Sequence, residues 1–299
     1  MLNVALVGLG WWGRTMLPLI AASAKLRVVR AVDSNPAAAV TQLAFSTDYA
    51  EALRDPAVHA VALCTPHSLH AGQIVQAAHA KKHVFCEKPL ALSRADALRA
   101  VEAVNANKVV LAVGHEKRFE PPVREVFRLA RAGELGRLLQ IEANFSQNKL
   151  GALSPGHWRT SSRDAPAGPL TATAIHLLDL SVGIFGPAKR VFASVRQLGS
   201  ALANGDTLAL LVDFGNGHAL ISAVLATPFD GRFAVYGSEG WAEVRDKAHP
   251  EAPEGWVLTK SLRGKKAESL EFAPAAAVLA NLEAFADAAA GGSVEPVVN

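Results

Sequence analysis

Along the first third of the chain, short apolar runs alternate with segments whose apolar residues recur at helical spacing. Leu2–Val7, Leu26–Val32, Val58–Leu63, His83–Cys86 and Val109–Val113 are apolar on both faces, which predicts strands buried from both sides. Between them, Trp12–Ser23, Asn35–Ala44, His67–Ala80 and Arg94–Asn105 read as helices. This alternation predicts a parallel sheet covered by helices on both faces. Right-handed crossovers then make it a doubly wound α/β fold.

The pattern changes after Gly114. Pro121 and Pro122 open a helix at Val123–Arg131, where proline suits the first turn. In Leu138–Gln147, Ile141, Ala143 and Phe145 alternate with Glu142, Asn144 and Ser146, the period of a half-buried strand. Val191–Arg196, Thr207–Phe214, His218–Ala226, Arg232–Tyr236 and Trp241–Arg245 continue as strands, with turns at Gly215-Asn216-Gly217 and Gly237–Gly240. Trp241 and Trp256 lie in strand-like segments as core or interface residues. Helices are expected at Leu170–Ile184 and Ala275–Ala290. The chain therefore divides into residues 1–117, a Rossmann domain, and residues 118–299, an α/β domain built on an open, mostly antiparallel sheet. Gly151–Gly168 is the longest irregular segment, and loops of that length are more often functional than idle.

Composition narrows the function classes. Half of the 299 residues are hydrophobic and 19% are charged, enough apolar material for large cores. The formal net charge is +3, and no run of five like charges occurs, so the basic footprint of a nucleic-acid binder is missing. The first 117 residues hold 12 basic and 8 acidic side chains, a bias that suits a phosphate-bearing small ligand. Two cysteines, Cys64 and Cys86, make no disulfide framework and no CxxC zinc site, which predicts a cytoplasmic protein without metal. The apolar Met1–Gly13 lacks a basic leader and an A-x-A cleavage site, and no 18-residue apolar stretch predicts a membrane span.

Gly8-Leu9-Gly10-Trp11-Trp12-Gly13 is a G-x-G-x-x-G run between a predicted strand and a predicted helix, the context that a dinucleotide fingerprint requires. Gly8 permits the turn, Gly10 lets the backbone approach a pyrophosphate, and Gly13 allows close helix packing. Trp11 and Trp12 are bulky occupants that either cover the pyrophosphate or face the other domain. Asp33 ends the second strand 20 residues after Gly13. A carboxylate there accepts from ribose hydroxyls and repels a 2′-phosphate, so NAD is expected over NADP. Thr65, Pro66, His67 and His70 follow the third long strand, and Glu87 and Lys88 end the next. Ligands lie beyond the carboxyl ends of such strands, so both clusters point to the cofactor crevice.

The glycine run, Cys64-Thr65-Pro66 with His70, Glu87-Lys88-Pro89 and Gly114-His115-Glu116-Lys117-Arg118-Phe119 together resemble the glucose–fructose oxidoreductase/inositol dehydrogenase/rhizopine-catabolism (Gfo/Idh/MocA) family. The resemblance continues through Gly133-Glu134-Leu135-Gly136-Arg137, His157-Trp158-Arg159 and Ile175-His176-Leu177-Leu178-Asp179. It implies hydride transfer between a nicotinamide and a hydroxyl or carbonyl carbon of a sugar, polyol or cyclic-diol-like substrate. By the same resemblance Lys88 polarises the substrate oxygen, His176 is the general acid/base, and Arg118, Trp158 and Arg159 lie near the substrate. It also implies a homodimer or homotetramer formed through the C-terminal sheet. Relatives run longer and close with another helix where this chain places only Gly291–Asn299, so the chain is either naturally short or truncated. If that helix normally braces the two domains, the chain is expected to be stable only as an oligomer.

One position departs from the pattern. Many dehydrogenases of the family carry an aspartate four residues before the histidine, where this sequence has Ala172. Thr173 can offer a hydroxyl to the imidazole or substrate, but no charge. Asp179, three residues after His176, is the nearest carboxylate, with a structural role as the favoured reading. The alternative reading is a non-catalytic NAD-binding sensor of the same fold.

Overall fold

The computed structural model describes residues 1–154 and 156–292. The chain forms two compact units, Met1–Glu116 joined by the chain from Val278 onward, and Lys117–Ala277.

In the first unit the order is β1 (Leu2–Val7), α1 (Trp11–Ala21), β2 (Leu26–Val32), β3 (Ala44–Ser46), α2 (Tyr49–Arg54), β4 (Ala60–Leu63), α3 (His70–His79), β5 (His83–Cys86), α4 (Arg94–Asn107) and β6 (Leu111–Val113). The six strands form a parallel sheet in the order β3-β2-β1-β4-β5-β6, so the strand order reverses between β1 and β4. Side-chain period decides the two cores. Val4 and Leu6 join Met16, Ile20 and Phe85 on one face, whereas Ala5 and Val7 join Val61, Leu63 and Ile74 on the other.

Two features of this unit differ from the sequence expectation. Asn35–Ala44 is not a helix. Asn35 accepts from the Ala37 N–H at 3.0 Å and Pro36 opens a single tight turn, Pro36–Ala38, that ends at an extended Ala39. The alanines suggested a helix, but Asn-Pro favours a turn and Val40-Thr41 are poor continuers. The chain then adds the edge strand β3, followed by α2, whose first turn Asp48 caps through the Ala50 N–H at 2.8 Å. The second difference is the last helix, α7 (Ala277–Ala289), which belongs to the first unit rather than to the C-terminal domain. Leu282, Phe285 and Ala286 share one helical stripe and enter the core, with Phe285 edge-on to Phe85 at 5.9 Å between ring centres. Asn281 donates to the Val113 carbonyl at 3.1 Å, and the Glu283 carboxylate accepts from Ser23 at 2.7 Å.

The second unit contains α5 (Pro121–Arg131), β7 (Leu138–Ser146), α6 (Ile175–Phe185) and the strands β8 (Arg190–Arg196), β9 (Thr207–Asp213), β10 (His218–Val224), β11 (Asp230–Gly237), β12 (Gly240–Asp246), β13 (Trp256–Leu262) and β14 (Glu268–Phe272). Their order is β14-β13-β12-β11-β7-β10-β9-β8, antiparallel except for the parallel β7–β10 pair. One sheet face carries the core, where Ile141, Phe145, Val212 and Ile221 pack against Val126, Leu129, Leu177 and Leu180 of the two helices. On the opposite face Glu142, Leu220, Leu211 and Phe192 form one cross-strand row, and Asn144, Ser222, Ala209 and Ser194 the next. The described residues of 151–168 are irregular apart from short helical turns at Lys149–Ala152 and Trp158–Thr160. Strand β14 left no trace in the sequence pattern because its residues are mostly exposed and do not alternate.

Candidate active site

In the first unit the sheet register builds the site. Val32, Val7, Leu63 and Cys86 form one row across β2, β1, β4 and β5. The residues that follow them, Asp33, Gly8, Cys64 and Glu87, therefore emerge along one sheet edge. Gly8, Asp33, Thr65 and Glu87 follow the strands at that edge, Trp11, Trp12 and Gly13 lie in the first turn of α1, and His70 opens α3.

The glycine loop is cut to the backbone. At Gly8 (φ +90°) a Cβ would lie 2.8 Å from the Cys64 carbonyl, and at Gly13 it would lie 1.8 Å from the Gly8 oxygen. Gly10 is different, since a Cβ there would meet nothing within 4 Å. Close packing thus explains two glycines, and open space marks the third. Helix α1 starts beside that space with no side-chain cap and no acidic residue in its first turn. Its first N–H groups and dipole suit an anion. The Asp33 carboxylate accepts from the Leu9 N–H at 2.6 Å and from the Asn35 N–H at 2.9 Å, so it holds the loop at the end of β2. These residues fit a dinucleotide. Trp11 is 55% exposed and edge-on to Trp12 at 5.9 Å, whose indole nitrogen is buried.

The two turns beyond β4 and β5 are tied together. His70 is fully buried, with Nδ1 2.7 Å from the Pro89 carbonyl and Nε2 3.0 Å from the Thr65 carbonyl. Thr65 donates its hydroxyl to Gln73 at 2.6 Å. His67 is buried with its ring 5.8 Å from that of His70. Glu87 is buried, and Lys88 follows it with a cis peptide to Pro89. Gly114 leaves room for the Glu87 carboxylate, because a Cβ there would lie 2.6 Å from Oε1. Among the described residues no group of three or more His, Cys, Asp or Glu could hold a metal, and no helix is long and apolar enough to cross a membrane.

In the second unit His176 is buried on α6, with its ring 6.3 Å from Phe145. The backbone enters α6 through a π-helical turn, Leu170–Ala174, which the sequence pattern read as plain α-helix. Such turns are frequent at functional sites. Thr173 is fully buried and its hydroxyl donates to the Pro169 carbonyl at 3.1 Å. Arg118 is gripped by Asp179, through Nε to Oδ2 at 2.5 Å and Nη2 to Oδ1 at 2.8 Å. That fork holds the Arg118 guanidinium against the Asp179 carboxylate in a fixed orientation. The Arg159 guanidinium lies 4.5 Å from the Trp158 ring centre, with His157 stacked on the same indole.

Other residues beside Phe145 were not anticipated. Lys117 is buried 5.2 Å from the Phe145 ring centre and pairs with Glu120 and Asp246, each at 3.1 Å. Burial alone would lower its pKa, but the two carboxylates outweigh that and raise it. His249 also packs on Phe145, at 6.0 Å, and its Nδ1 accepts from Lys149 at 3.0 Å. Burial, then Lys149 and Lys117, push its pKa down to about 4, so it is neutral at pH 7. No periodicity joins residues so distant in sequence.

Two family descriptions match the chain, the oxidoreductase family with an NAD-binding Rossmann fold over residues 2–115 and the GFO/IDH/MocA C-terminal domain over residues 123–243. The chain belongs to the Gfo/Idh/MocA family. Within the family, an uncharacterised oxidoreductase of Bacillus subtilis, YrbE, is 30% identical over 224 residues, which are 69% of this chain and 60% of that protein. The match thus spans less than two thirds of YrbE. Levoglucosan dehydrogenase of Pseudarthrobacter phenanthrenivorans is 29% identical over 282 residues, 80% of this chain and 72% of that protein. KijD10, a 3-ketoreductase from Actinomadura kijaniata solved with NADP and TDP-benzene, shares the fold with a TM-score of 0.85. It is 19% identical, over 99% of this chain and 92% of its own.

Proposed function

We propose that the protein is an NAD-dependent oxidoreductase that moves a hydride between nicotinamide and a hydroxyl or carbonyl carbon of a sugar, polyol or cyclic-diol-like substrate. The observation that carries this reading is the open space over Gly10, beside an uncapped helix start and the Asp33 carboxylate. Family membership and a relative named for levoglucosan support the substrate class. A bound nicotinamide supplies the hydride acceptor or donor. Lys88 places an ammonium near the substrate oxygen and favours its anionic character. His176 takes the hydroxyl proton on oxidation and returns it on reduction. Arg118, held by Asp179, orients rather than reacts, and Trp158 and Arg159 contact the substrate. Thr65, Pro66, His67, His70 and Glu87 shape the cofactor side. Asp33 supports NAD over NADP, since a 2′-phosphate would face a carboxylate already fixed by two N–H groups. The fold itself does not decide, as KijD10 holds NADP.

A second copy of the chain is the proposed cover for the open sheet face, giving a homodimer or homotetramer. Leu220, Leu211 and Phe192 stand side by side on that face and Phe192 is 58% exposed. Only two cysteines in 299 residues support a reducing, cytoplasmic setting. Ala172 favours the second reading, a non-catalytic sensor, because it lacks the carboxylate common before the histidine. Absorbance at 340 nm with NAD or NADP and a panel of levoglucosan, myo-inositol, scyllo-inositol and glucose separates the two. Turnover of at least one compound, faster with NAD, is expected. Cofactor binding without turnover of any would favour the sensor.

A further inference from the structure

Trp158 and Arg159 sit on an irregular stretch, and irregular stretches hold side chains in place only if something holds the backbone. Some of that order is local. His157 Nδ1 accepts from the Arg159 N–H at 3.1 Å, Ser161 Oγ accepts from the Arg163 N–H at 3.1 Å, and the Ala165 N–H donates to the Ser161 carbonyl at 2.9 Å. Distant residues add to it: Ser162 Oγ donates to the Ala203 carbonyl at 3.4 Å, and the next residue, Asn204, makes more of these bonds. Asn204 is buried between β8 and β9, and its Nδ2 donates to the carbonyls of Arg159 at 2.9 Å and Ala165 at 2.7 Å. The Asn204 carbonyl in turn accepts from the Gly168 N–H at 2.8 Å. A Cβ on Gly168 would lie 3.0 Å from the Asn204 amide, so the fit is close. One residue thus holds residues 159, 165 and 168 at once.

Asn204 is itself anchored. Asp206, fully buried, accepts from the N–H groups of Leu198, Gly199 and Ser200 and from the hydroxyls of Ser200 and Thr207. Its backbone N–H donates to Arg196 at 2.9 Å, and its carbonyl accepts from Leu225 at 2.7 Å, which ties the turn to β8 and β10. Burial alone would raise its pKa, but the donors hold this carboxyl well below the usual range, so it stays charged. The order of support runs from the sheet to Asp206, to Asn204, to the Trp158–Arg159 loop.

We infer that Asn204 is a positioning residue that sets where Trp158 and Arg159 stand and thereby which substrates are accepted. This rests on the proposed role of those two residues in substrate contact. The amide is well chosen for the task. Both Nδ2 protons go to carbonyl oxygens, so Asn204→Asp, which keeps the shape, would set oxygen lone pairs against oxygen lone pairs.

The test compares wild type, Asn204→Asp and Asn204→Ala as full chains saturated with NADH. Hydrogen exchange over residues 157–168 is read with thermal melting, and turnover of levoglucosan and myo-inositol with NAD is measured in parallel. The inference expects both variants to exchange faster across 159–168, with NADH affinity unchanged. It expects KM to rise about tenfold with kcat within about twofold, below the roughly 100-fold that a 1 Å misplacement can cost. The preference between the two polyols should change as well. A merely structural asparagine would lower the melting temperature and leave KM and preference untouched, and that result overturns the inference. So does unchanged exchange in both variants. If wild type turns over none of levoglucosan, myo-inositol, scyllo-inositol and glucose, the oxidoreductase proposal fails, while the exchange data still decide whether Asn204 holds the loop.

Discussion

Replacing Gly10 by alanine separates fold from function at the glycine loop. Gly10 has φ −63° and ψ −173°, a conformation that alanine adopts without strain, and its Cβ would meet nothing within 4 Å. The fold should therefore tolerate the change within about 0.5 kcal/mol, as an exposed substitution free of contacts does. Slight stabilisation is also allowed, since alanine restricts the unfolded chain. Binding should respond quite differently. If a pyrophosphate rests over Gly10, the methyl group holds it away from the first N–H groups of α1. Losing one charge-assisted hydrogen bond costs roughly 1.5–3 kcal/mol. At about 1.4 kcal/mol per decade that is a loss of affinity of roughly 10- to 100-fold. Titration of NADH fluorescence gives the affinity, and urea denaturation gives the stability. Gly13→Ala is the contrast, because its Cβ would fall 1.8 Å from the Gly8 oxygen and the loop itself must deform. Unchanged NADH affinity in Gly10→Ala refutes the cradle, and a large loss of stability refutes the open space.

Other substitutions probe the second unit. Lys117→Met leaves Glu120 and Asp246 buried without their shared cation, and urea denaturation at pH 7 should show a loss of about 3–5 kcal/mol. His249 has a depressed pKa in the folded state, so the unfolded chain takes up its proton first as pH falls. Stability should therefore decline from about pH 6.5 towards pH 4, by about 1 kcal/mol at pH 5 after discounting for partial exposure, and His249→Phe should flatten that part of the urea-midpoint profile. Phe192→Asp puts a charge into the apolar row Leu220–Leu211–Phe192 of the open face. Light scattering should show a smaller species than wild type, and an unchanged mass would exclude that face as the subunit contact.

Much of the first unit was legible because its chemistry is local. The glycine run, the two-sided strands and Asp33 follow from neighbours in sequence, and the parallel register brings them to one edge. Asn35–Ala44 was misread because three alanines outweighed Asn-Pro, a local signal of the opposite sense. The π turn before His176 had no sequence signature, and it alters the helical phase that places Ala172 and Thr173 relative to the imidazole. Helix α7 was recognisable as a helix, but its place in the first unit depends on Phe285 meeting Phe85, 200 residues away. Asn204, Asp206 and the Lys117 cluster work through contacts between segments far apart in the chain, where no periodicity reports them. The expectation drawn from Gly291–Asn299 falls mostly on residues 293–299, which lie outside the described residues.

Turnover of wild type against Lys88→Ala tests the central claim most directly. The measurement is absorbance at 340 nm with NAD and whichever polyol or sugar wild type oxidises fastest, with NADH affinity determined alongside. Electrostatic stabilisers of this kind are worth roughly 100- to 1,000-fold in kcat. The account predicts a fall of that order in Lys88→Ala while NADH still binds. Turnover within a few-fold of wild type would contradict it.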